Sequence, residues 1–169
     1  MTSIRRLLPW FAWLAFVAGH ANAWAHNPDT SYAQLKISGN QVSLRLTYDL
    51  FTLEKITKLD TDGGARITRA ELQRAAPVIQ QFLREHVRLE LNGHQVDLGE
   101  AGATGWPAGM GDAIEAADWH TVDGLIHFPF VKTVIETPET AALAFDFFDD
   151  LGAQHTVLGT FECNGPPQR

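Results

Sequence analysis

The residue pattern with the clearest chemistry in this sequence lies between residues 60 and 71. An EF-hand calcium loop takes oxygen ligands from its positions 1, 3, 5, 7, 9 and 12 and turns on a glycine at position 6. The donors available at positions 1, 3, 7, 9 and 12 are Asp60, Asp62, the backbone carbonyl of Arg66, Thr68 and Glu71. We therefore predict that these residues form a Ca²⁺ site.

Two positions of this loop depart from the calcium-binding pattern. Position 5 is Gly64, which has no side-chain oxygen, and position 6 is Ala65, whose Cβ opposes the left-handed backbone of the turn. Both departures lower the expected affinity. An alternative interpretation is a helix capping box, in which Thr68 and Glu71 bond each other's backbone and the two aspartates only shape a turn.

The start of the chain has the layout of a secretory signal peptide. Two arginines precede the apolar stretch Leu7–Ala18, and small residues suited to cleavage follow it. Cleavage after Ala23 and cleavage after Ala25 both fit the pattern, and we assign residues 1–25 to the signal peptide. An uncleaved membrane anchor is the alternative, but the apolar stretch is shorter than the roughly 20 residues that span a bilayer. We expect an exported, periplasmic protein.

Histidines form a second candidate metal site. Cleavage after Ala25 makes His26 the amino terminus, where the α-amine and the imidazole can chelate one Cu or Ni ion. Asp150 and His155, before the last predicted strand, would add a carboxylate and a second imidazole if the fold brings them beside the amino terminus. The alternative is that His26 begins a frayed end and His155 is an ordinary hydrogen-bonded histidine.

Composition narrows the functional classes. The net charge of −7 argues against nucleic acid as a partner, because phosphates attract Lys and Arg. The single cysteine, Cys163, has no partner for an internal disulfide. The sequence contains no nucleophile elbow, zinc-protease helix or glycine-rich phosphate loop, so we expect a non-catalytic protein. After the signal peptide, no stretch is long and apolar enough for a membrane helix.

Hydrophobic periodicity predicts strands on both sides of a helical insertion. Alternating apolar residues indicate strands at 32–37, 42–48, 87–91, 96–98, 125–134, 142–148 and 156–161. Gly39-Asn40 and Asn92-Gly93 predict hairpin turns, and Pro129 places its strand at an edge or a bulge. Helical spacing places the insertion at about 49–86, with Asp49 as a cap and a kink or restart at Pro77, and a short helix is predicted at 112–120. We expect a mainly β fold: an Ig-like antiparallel β-sandwich at 26–163 with an inserted EF-hand-like helix-loop-helix, followed by a tail at 164–169.

Three motifs give the chain a family resemblance. They are Ala25-His26-Asn27-Pro28 with Ser31-Tyr32, Leu59-Asp60-Thr61-Asp62-Gly63 with Ile67-Thr68 and Glu71-Leu72, and Phe147-Phe148-Asp149-Asp150 with Gln154-His155. In this order they resemble the exported amino-terminal domain of the HupE/UreJ family, whose members are associated with nickel or cobalt handling around hydrogenase and urease. The resemblance covers nearly the whole mature chain and implies an exported β-domain with an EF-hand-like insertion.

The chain departs from that family in two respects. Family members usually continue into a bundle of membrane helices, whereas this chain ends at Arg169. Their loop tends to be a full Asp-x-Asp-Gly-Asp-Gly pattern, which Gly64 and Ala65 interrupt here. Transport is therefore not implied, and whether the chain is the remnant of a longer membrane protein stays open.

These observations lead to one functional expectation and two alternatives. We expect an exported, non-catalytic, divalent-metal-associated accessory domain of the HupE/UreJ type, which works with a membrane permease or another periplasmic protein. The alternatives are an EF-hand-like calcium-binding protein and a metal-free periplasmic protein-interaction domain.

Overall fold

The protein is mainly β with one helical insertion. The computed structural model describes residues 29–121 and 124–164. Its strands are β1 (Thr30–Ser38), β2 (Gln41–Tyr48), β3 (Arg66–Thr68), β4 (Val87–Leu91), β5 (His94–Val96), β6 (Glu100–Ala101), β7 (Ala113–Glu115), β8 (Ile126–Thr133), β9 (Ala141–Phe145) and β10 (Thr156–Asn164). Its helices are α1 (Leu50–Ile56), α2 (Arg69–His86) and α3 (Phe148–Leu151), and a 3₁₀ turn covers Ala116–Asp118. The predicted signal peptide, His26 and residues 165–169 of the predicted tail lie outside the described residues.

The largest sheet has five strands in the order β10-β1-β2-β8-β6. β1 and β2 form the predicted antiparallel hairpin, which turns at Gly39 with a φ of +59°. β2 also pairs antiparallel with β8. β10 lies on the other side of β1 and runs parallel to it, with Thr30 opposite Thr156. The sheet is therefore mixed, with β10 at one edge.

The parallel pair of β1 and β10 differs from the antiparallel arrangement that we predicted. The alternation of apolar residues is the same in both orientations, so it does not reveal strand direction. A parallel pair needs a long connection, and here most of the chain lies between the two strands. The prediction of a mainly β fold is confirmed, while the sheets are open and the five-stranded one is mixed.

A three-stranded sheet has the order β5-β4-β9. The predicted turn at Asn92 and Gly93 connects β4 to β5, with φ values of +52° and +76°. Left-handed values at both residues are those of the two-residue hairpin for which Asn-Gly is preferred. Leu89 of this sheet belongs to the same buried core cluster as Leu35 and Leu44 of the large sheet.

The helical insertion begins where the sequence predicts. Asp49 caps α1 by accepting a hydrogen bond from the backbone N–H of Thr52 at 2.7 Å. Of the kink or restart predicted at Pro77, the restart is wrong, because α2 continues through the proline. Ile79 and Leu83 beyond the proline are buried in the core, which favours the continuous helix. None of the helices in the described residues has the length and apolarity needed to cross a membrane.

Two predictions for the second half of the chain were wrong in detail. The segment predicted as a short helix at 112–120 contains β7 and the 3₁₀ turn. β7 pairs with β3, with Ile114 opposite Ile67, and this pairing draws the segment into a ladder. Of the edge or bulge predicted at Pro129, the edge is wrong, since the two-residue strand β6 lies beyond β8.

Candidate metal site

The candidate loop is held at both ends by the core. Leu59, just before the first predicted ligand, and Ile67, at position 8, are both fully buried. Ile67 lies opposite Ile114 in the β3–β7 ladder, and the backbone N–H of Ala116 donates to the carbonyl of Ala65 at 2.9 Å. Apolar packing and a short ladder therefore position the loop.

Asp60 organises the backbone of the loop. Its Oδ1 accepts hydrogen bonds from the N–H groups of Gly63 at 2.8 Å and Gly64 at 3.1 Å, and its Oδ2 accepts from Ala65 at 3.0 Å. Oδ1 of Asp62 accepts from the N–H of Gly64 at 2.8 Å. A carboxylate has about four acceptor positions, so both aspartates keep acceptor capacity that a cation can use.

The two positions that depart from the calcium-binding pattern, Gly64 and Ala65, each affect the local geometry of the loop. Ala65 has a φ of +54°, so the strain predicted at position 6 is present. A left-handed conformation costs a residue with a Cβ roughly 1–2 kcal/mol. At Gly64 an added Cβ would lie 2.9 Å from Oδ1 of Asp62, so a side chain at position 5 requires the Asp62 carboxylate to shift.

Glu71 accepts more hydrogen bonds than the other acidic residues of the loop. Its Oε1 accepts from the N–H and the hydroxyl of Thr61 at 3.0 and 2.7 Å. Its Oε2 accepts from the N–H and the hydroxyl of Thr68 at 2.9 and 2.8 Å. Hydrogen bonds from Thr68, and then from Thr61, lower the pKa of Glu71 to about 2 despite its burial. Both oxygens already have two donors each, which is their usual capacity.

The acidic side chains of the loop converge. One carboxylate oxygen from each of Asp60, Asp62 and Glu71 can be chosen so that all three lie within 4.8 Å of one another. Oxygen donors at this spacing suit a hard cation such as Ca²⁺ or Mg²⁺. The two aspartates keep acceptor positions for such an ion, whereas Glu71 can bind one only by giving up hydrogen bonds from Thr61 or Thr68.

The other two predicted ligands, Arg66 and Thr68, lie in β3. Arg66 is opposite Glu115 of β7 and is exposed. The hydroxyl of Thr68 donates to Glu71 and accepts from the N–H of Glu71 at 3.2 Å, which with the reciprocal bond makes a capping box at the start of α2. The predicted capping box is confirmed, and it coexists with the convergence of the three carboxylates.

His155 has a buried environment of its own. Its Nε2 lies 3.0 Å from the hydroxyl oxygen of Ser31, and its Nδ1 is buried without a hydrogen-bond partner. The ring meets Phe147 edge-on at 5.7 Å between centroids. Burial lowers the pKa of His155, the charge of Lys55 lowers it further, and Asp29 and Asp49 oppose the shift.

The structure does not bring Asp150 and His155 into one group of ligands. Asp150 is exposed on α3, where its carboxylate lies 4.0 Å from Nδ1 of His86. Among residues 29–121 and 124–164, the three loop carboxylates are the group of three or more ligands that converges. His26 lies outside the described residues, so the Cu or Ni site stays a prediction.

Sequence reasoning gave no role to Thr61 and Ser31. Thr61 stands at position 2 of the loop, where the calcium pattern specifies no ligand, yet it supplies two donors to Glu71. Ser31 bonds a residue 124 positions away, which no local pattern indicates. The sequence feature that could have indicated a role is that both residues lie in the motifs that resemble the HupE/UreJ family.

The three motifs that resemble the HupE/UreJ family include many of the residues that make these contacts. The second motif holds the converging carboxylates, and the third ends at His155, which bonds Ser31 of the first. Comparisons of the chain with protein-family models, with curated proteins and with solved structures found no match.

Proposed function

We propose that this chain is an exported, non-catalytic accessory domain that binds a divalent cation at its 60–71 loop, with Ca²⁺ the best-suited ion. The observation that carries the proposal is the convergence of Asp60, Asp62 and Glu71 within 4.8 Å. Hard oxygen donors favour Ca²⁺ and Mg²⁺ over softer metals. The resemblance to the HupE/UreJ family supports an exported location and a role beside a membrane permease or another periplasmic protein.

We expect the affinity of the loop to be low. Position 5 contributes no oxygen, and a cation must displace threonine donors from Glu71 before that residue can bind it. EF-hand affinity falls with fewer charged ligands, and extracellular modules have dissociation constants of about 10⁻⁴–10⁻³ M. We place the loop in that range.

We further infer that the two larger sheets face each other as an Ig-like sandwich. The five-stranded and the three-stranded sheet both contribute to one buried core cluster, which also contains Ile79 and Leu83 of α2. Packing of sheet on sheet around one core is the usual solution for two apolar sheet faces. The sandwich would serve as the rigid support for the loop.

A metal-free interaction domain is the second candidate. The observation in its favour is that Glu71, the bidentate ligand of an EF-hand, accepts four hydrogen bonds from Thr61 and Thr68. In this alternative, the carboxylates stabilise the turn and the start of α2, and the insertion is a structural element. His155 has no part in the proposed cation site, because its Nε2 is bonded to Ser31 in the core.

Calorimetric titration of the purified, chelator-treated protein with Ca²⁺, Mg²⁺ and Ni²⁺ tests the proposal. We expect binding heat with Ca²⁺ that disappears in Asp62→Asn, which removes one ligand charge but keeps a side-chain oxygen that can accept from the N–H of Gly64. Asp149→Asn, an exposed carboxylate on α3, is the matched control and should bind as the wild type does. If no ion gives heat or changes the melting temperature, the interaction domain is the remaining candidate. Mass spectrometry of the exported protein determines the cleavage site and tests the exported location.

A second variant sharpens the same test. Gly64→Asp restores the missing position-5 carboxylate, at the expense of a small shift of Asp62. One more carboxylate charge about 4 Å from a doubly charged ion in water is worth about 2 kcal/mol, or roughly a thirtyfold gain in Ca²⁺ affinity. Gly111→Asp adds the same charge on an open part of another loop and should leave the affinity unchanged. Equal effects of both variants would show that the loop does not hold the ion.

A further inference from the structure

The last strand, β10, is an open edge of the five-stranded sheet. In the part of the chain that the structure describes, its single neighbour is β1. It has nine residues, whereas β9, β5 and β6, the other edge strands of the two larger sheets, have five, three and two. Its Leu158 and Phe161, on opposite faces of the sheet, are 52 % and 60 % exposed. An edge of this length presents a row of backbone N–H and C=O groups to which another strand can add.

The sequence of β10 lacks the features that usually block an edge strand, such as lysine, proline or a bulge. It contains neither lysine nor proline, and it pairs with β1 in an uninterrupted register. Its one charged residue, Glu162, accepts a hydrogen bond from the side chain of Gln34 at 2.9 Å and lies 3.6 Å from Nζ of Lys36, both in β1. The charge is therefore held towards the protein's own sheet, and the open edge carries none.

The backbone of β10 determines which residues face the open edge. The N–H of Thr156 donates to the carbonyl of Asp29 at 2.7 Å, so it points towards β1. The direction of the N–H and C=O groups alternates along a strand, and every second residue from Thr156 onward therefore bonds β1. The residues in between direct their N–H and C=O groups to the open edge; they are Val157, Gly159, Phe161 and Cys163.

A second copy of β10 can bond all of these outward-facing residues in one antiparallel register. Antiparallel strands exchange both hydrogen bonds at every second pair, so outward-facing residues must lie opposite each other. If Thr160 lies opposite Thr160 of the second copy on a two-fold axis, Gly159 faces Phe161 and Val157 faces Cys163. Moving the axis to Gly159 or to Phe161 leaves Cys163 or Val157 without a partner in β10. The register centred on Thr160 therefore forms the most hydrogen bonds.

The side chains of β10 also fit this register. On one face, the ring of Phe161 lies opposite Gly159 of the second copy, which has no side chain in its way, and Leu35 of β1 continues the apolar row. On the other face, Glu162 lies opposite Leu158 and not opposite its own copy, so like charges do not meet. A two-fold interface requires such self-complementarity. It favours a second copy of this chain over an unrelated strand as the occupant of the edge.

We propose that the protein forms a two-fold dimer in which two β10 strands pair antiparallel, with Thr160 of both copies at the axis. The five-stranded sheets of the two copies then form one continuous sheet. Pairing along one strand covers a narrow strip of surface, so we expect weaker association than in stable interfaces, which bury about 1,200–2,000 Å². Cys163 and its copy would lie six positions apart along the strands, or roughly 20 Å, so no disulfide links them. The dimer is separate from the cation loop and does not rest on the proposed function.

Analytical ultracentrifugation of the purified protein at increasing concentrations tests the dimer. We expect the mass to rise from that of one chain towards that of two. Thr160→Lys places two lysines opposite each other at the axis and should weaken association by up to about fivefold. Leu158→Lys is the matched control on the same face of the same exposed strand. Its lysine lies opposite Glu162 of the second copy, so association should not weaken.

Disulfide trapping tests the register independently of the lysine variants. In a Cys163→Ser background, oxidised glutathione should link Thr160→Cys to its own copy, because the Cα atoms of such a pair lie about 4.5 Å apart. Leu158→Cys should stay unlinked, since this position is four residues, or roughly 13 Å, from its copy along the strands. Both positions are exposed, so neither substitution disturbs the core.

Three results would overturn the proposal. A mass of one chain at every concentration would exclude the dimer and leave the edge to a strand of another protein. A dimer that Leu158→Lys weakens as much as Thr160→Lys would place the interface elsewhere or in another register. Equal linking of Thr160→Cys and Leu158→Cys would show collisions between exposed thiols and not a defined pair of strands.

Discussion

The 60–71 loop and the buried cluster of Ser31, Tyr48, Asp49 and His155 (the His155 cluster) differ in how completely their polar side chains are hydrogen-bonded. In the loop, each oxygen of Glu71 accepts two hydrogen bonds. In the cluster, neither Asp49 Oδ2 nor His155 Nδ1 makes a hydrogen bond. The loop bonds join residues that are at most 10 positions apart, whereas the bond between Ser31 and His155 spans 124.

This difference shows which charge state each region requires. The donors around Glu71 need an ionised carboxylate, because a protonated one has fewer acceptor positions. Burial favours a neutral ring at His155, and the charges of Asp29 and Asp49 oppose this effect only in part. The loop is therefore stabilised by an ionised Glu71, whereas the His155 cluster is more stable with a neutral His155 ring.

Removal of the Glu71 side chain should have the largest effect. Glu71→Ala leaves the donors of Thr61 and Thr68 unpaired and removes half of the capping box. The lost cap and the unpaired donors together should lower the free energy of unfolding by about 3 kcal/mol, measured by urea denaturation. Glu85→Ala is the matched control, since Glu85 is exposed on the same helix and accepts one bond from Gln81. Equal losses in the two variants would contradict a special role for Glu71.

Acid should separate the two regions. The pKa of Glu71 is lowered from 4.5 to about 2, so its ionised form contributes stability above pH 4.5 that is lost as the pH falls towards 2. The difference in unfolding free energy between the wild type and Glu71→Ala should thus stay constant from pH 7 to 5 and shrink below 4.5. Urea midpoints measured across this range test it. A difference that already shrinks near pH 6 would contradict the assignment, because that range belongs to histidine.

The loop was largely predictable because its determinants are local. The order of Asp60, Asp62 and Glu71 indicated their convergence, and Thr68 with Glu71 indicated the capping box. The hairpin at Asn92 was equally predictable, since turn chemistry and alternation act over a few residues. The pattern did not indicate that the carboxylate of Glu71 already accepts hydrogen bonds from Thr61 and Thr68.

The His155 cluster could not be predicted, because its contacts join residues that are far apart in the sequence. Its partner Ser31 becomes a neighbour only because β10 pairs parallel with β1, and alternation does not encode strand direction. The expected partner, Asp150, lies on α3 beside His86, because the short helix turns it away from the core. Contacts that depend on topology cannot be predicted from the spacing of residues.

The smallest expected effect concerns the strained turn of the loop. Ala65→Gly removes the Cβ at a φ of +54°, so the free energy of unfolding should rise by about 0.5–1 kcal/mol after the entropy cost of glycine. Ala108→Gly, exposed and not left-handed, should give no gain. Because the Ala65 N–H already bonds Asp60 Oδ2 in this turn, the strain belongs to the backbone rather than to ligand placement. Ca²⁺ affinity should therefore change less than in Gly64→Asp, and a larger change would mean that the turn must still rearrange to bind the ion.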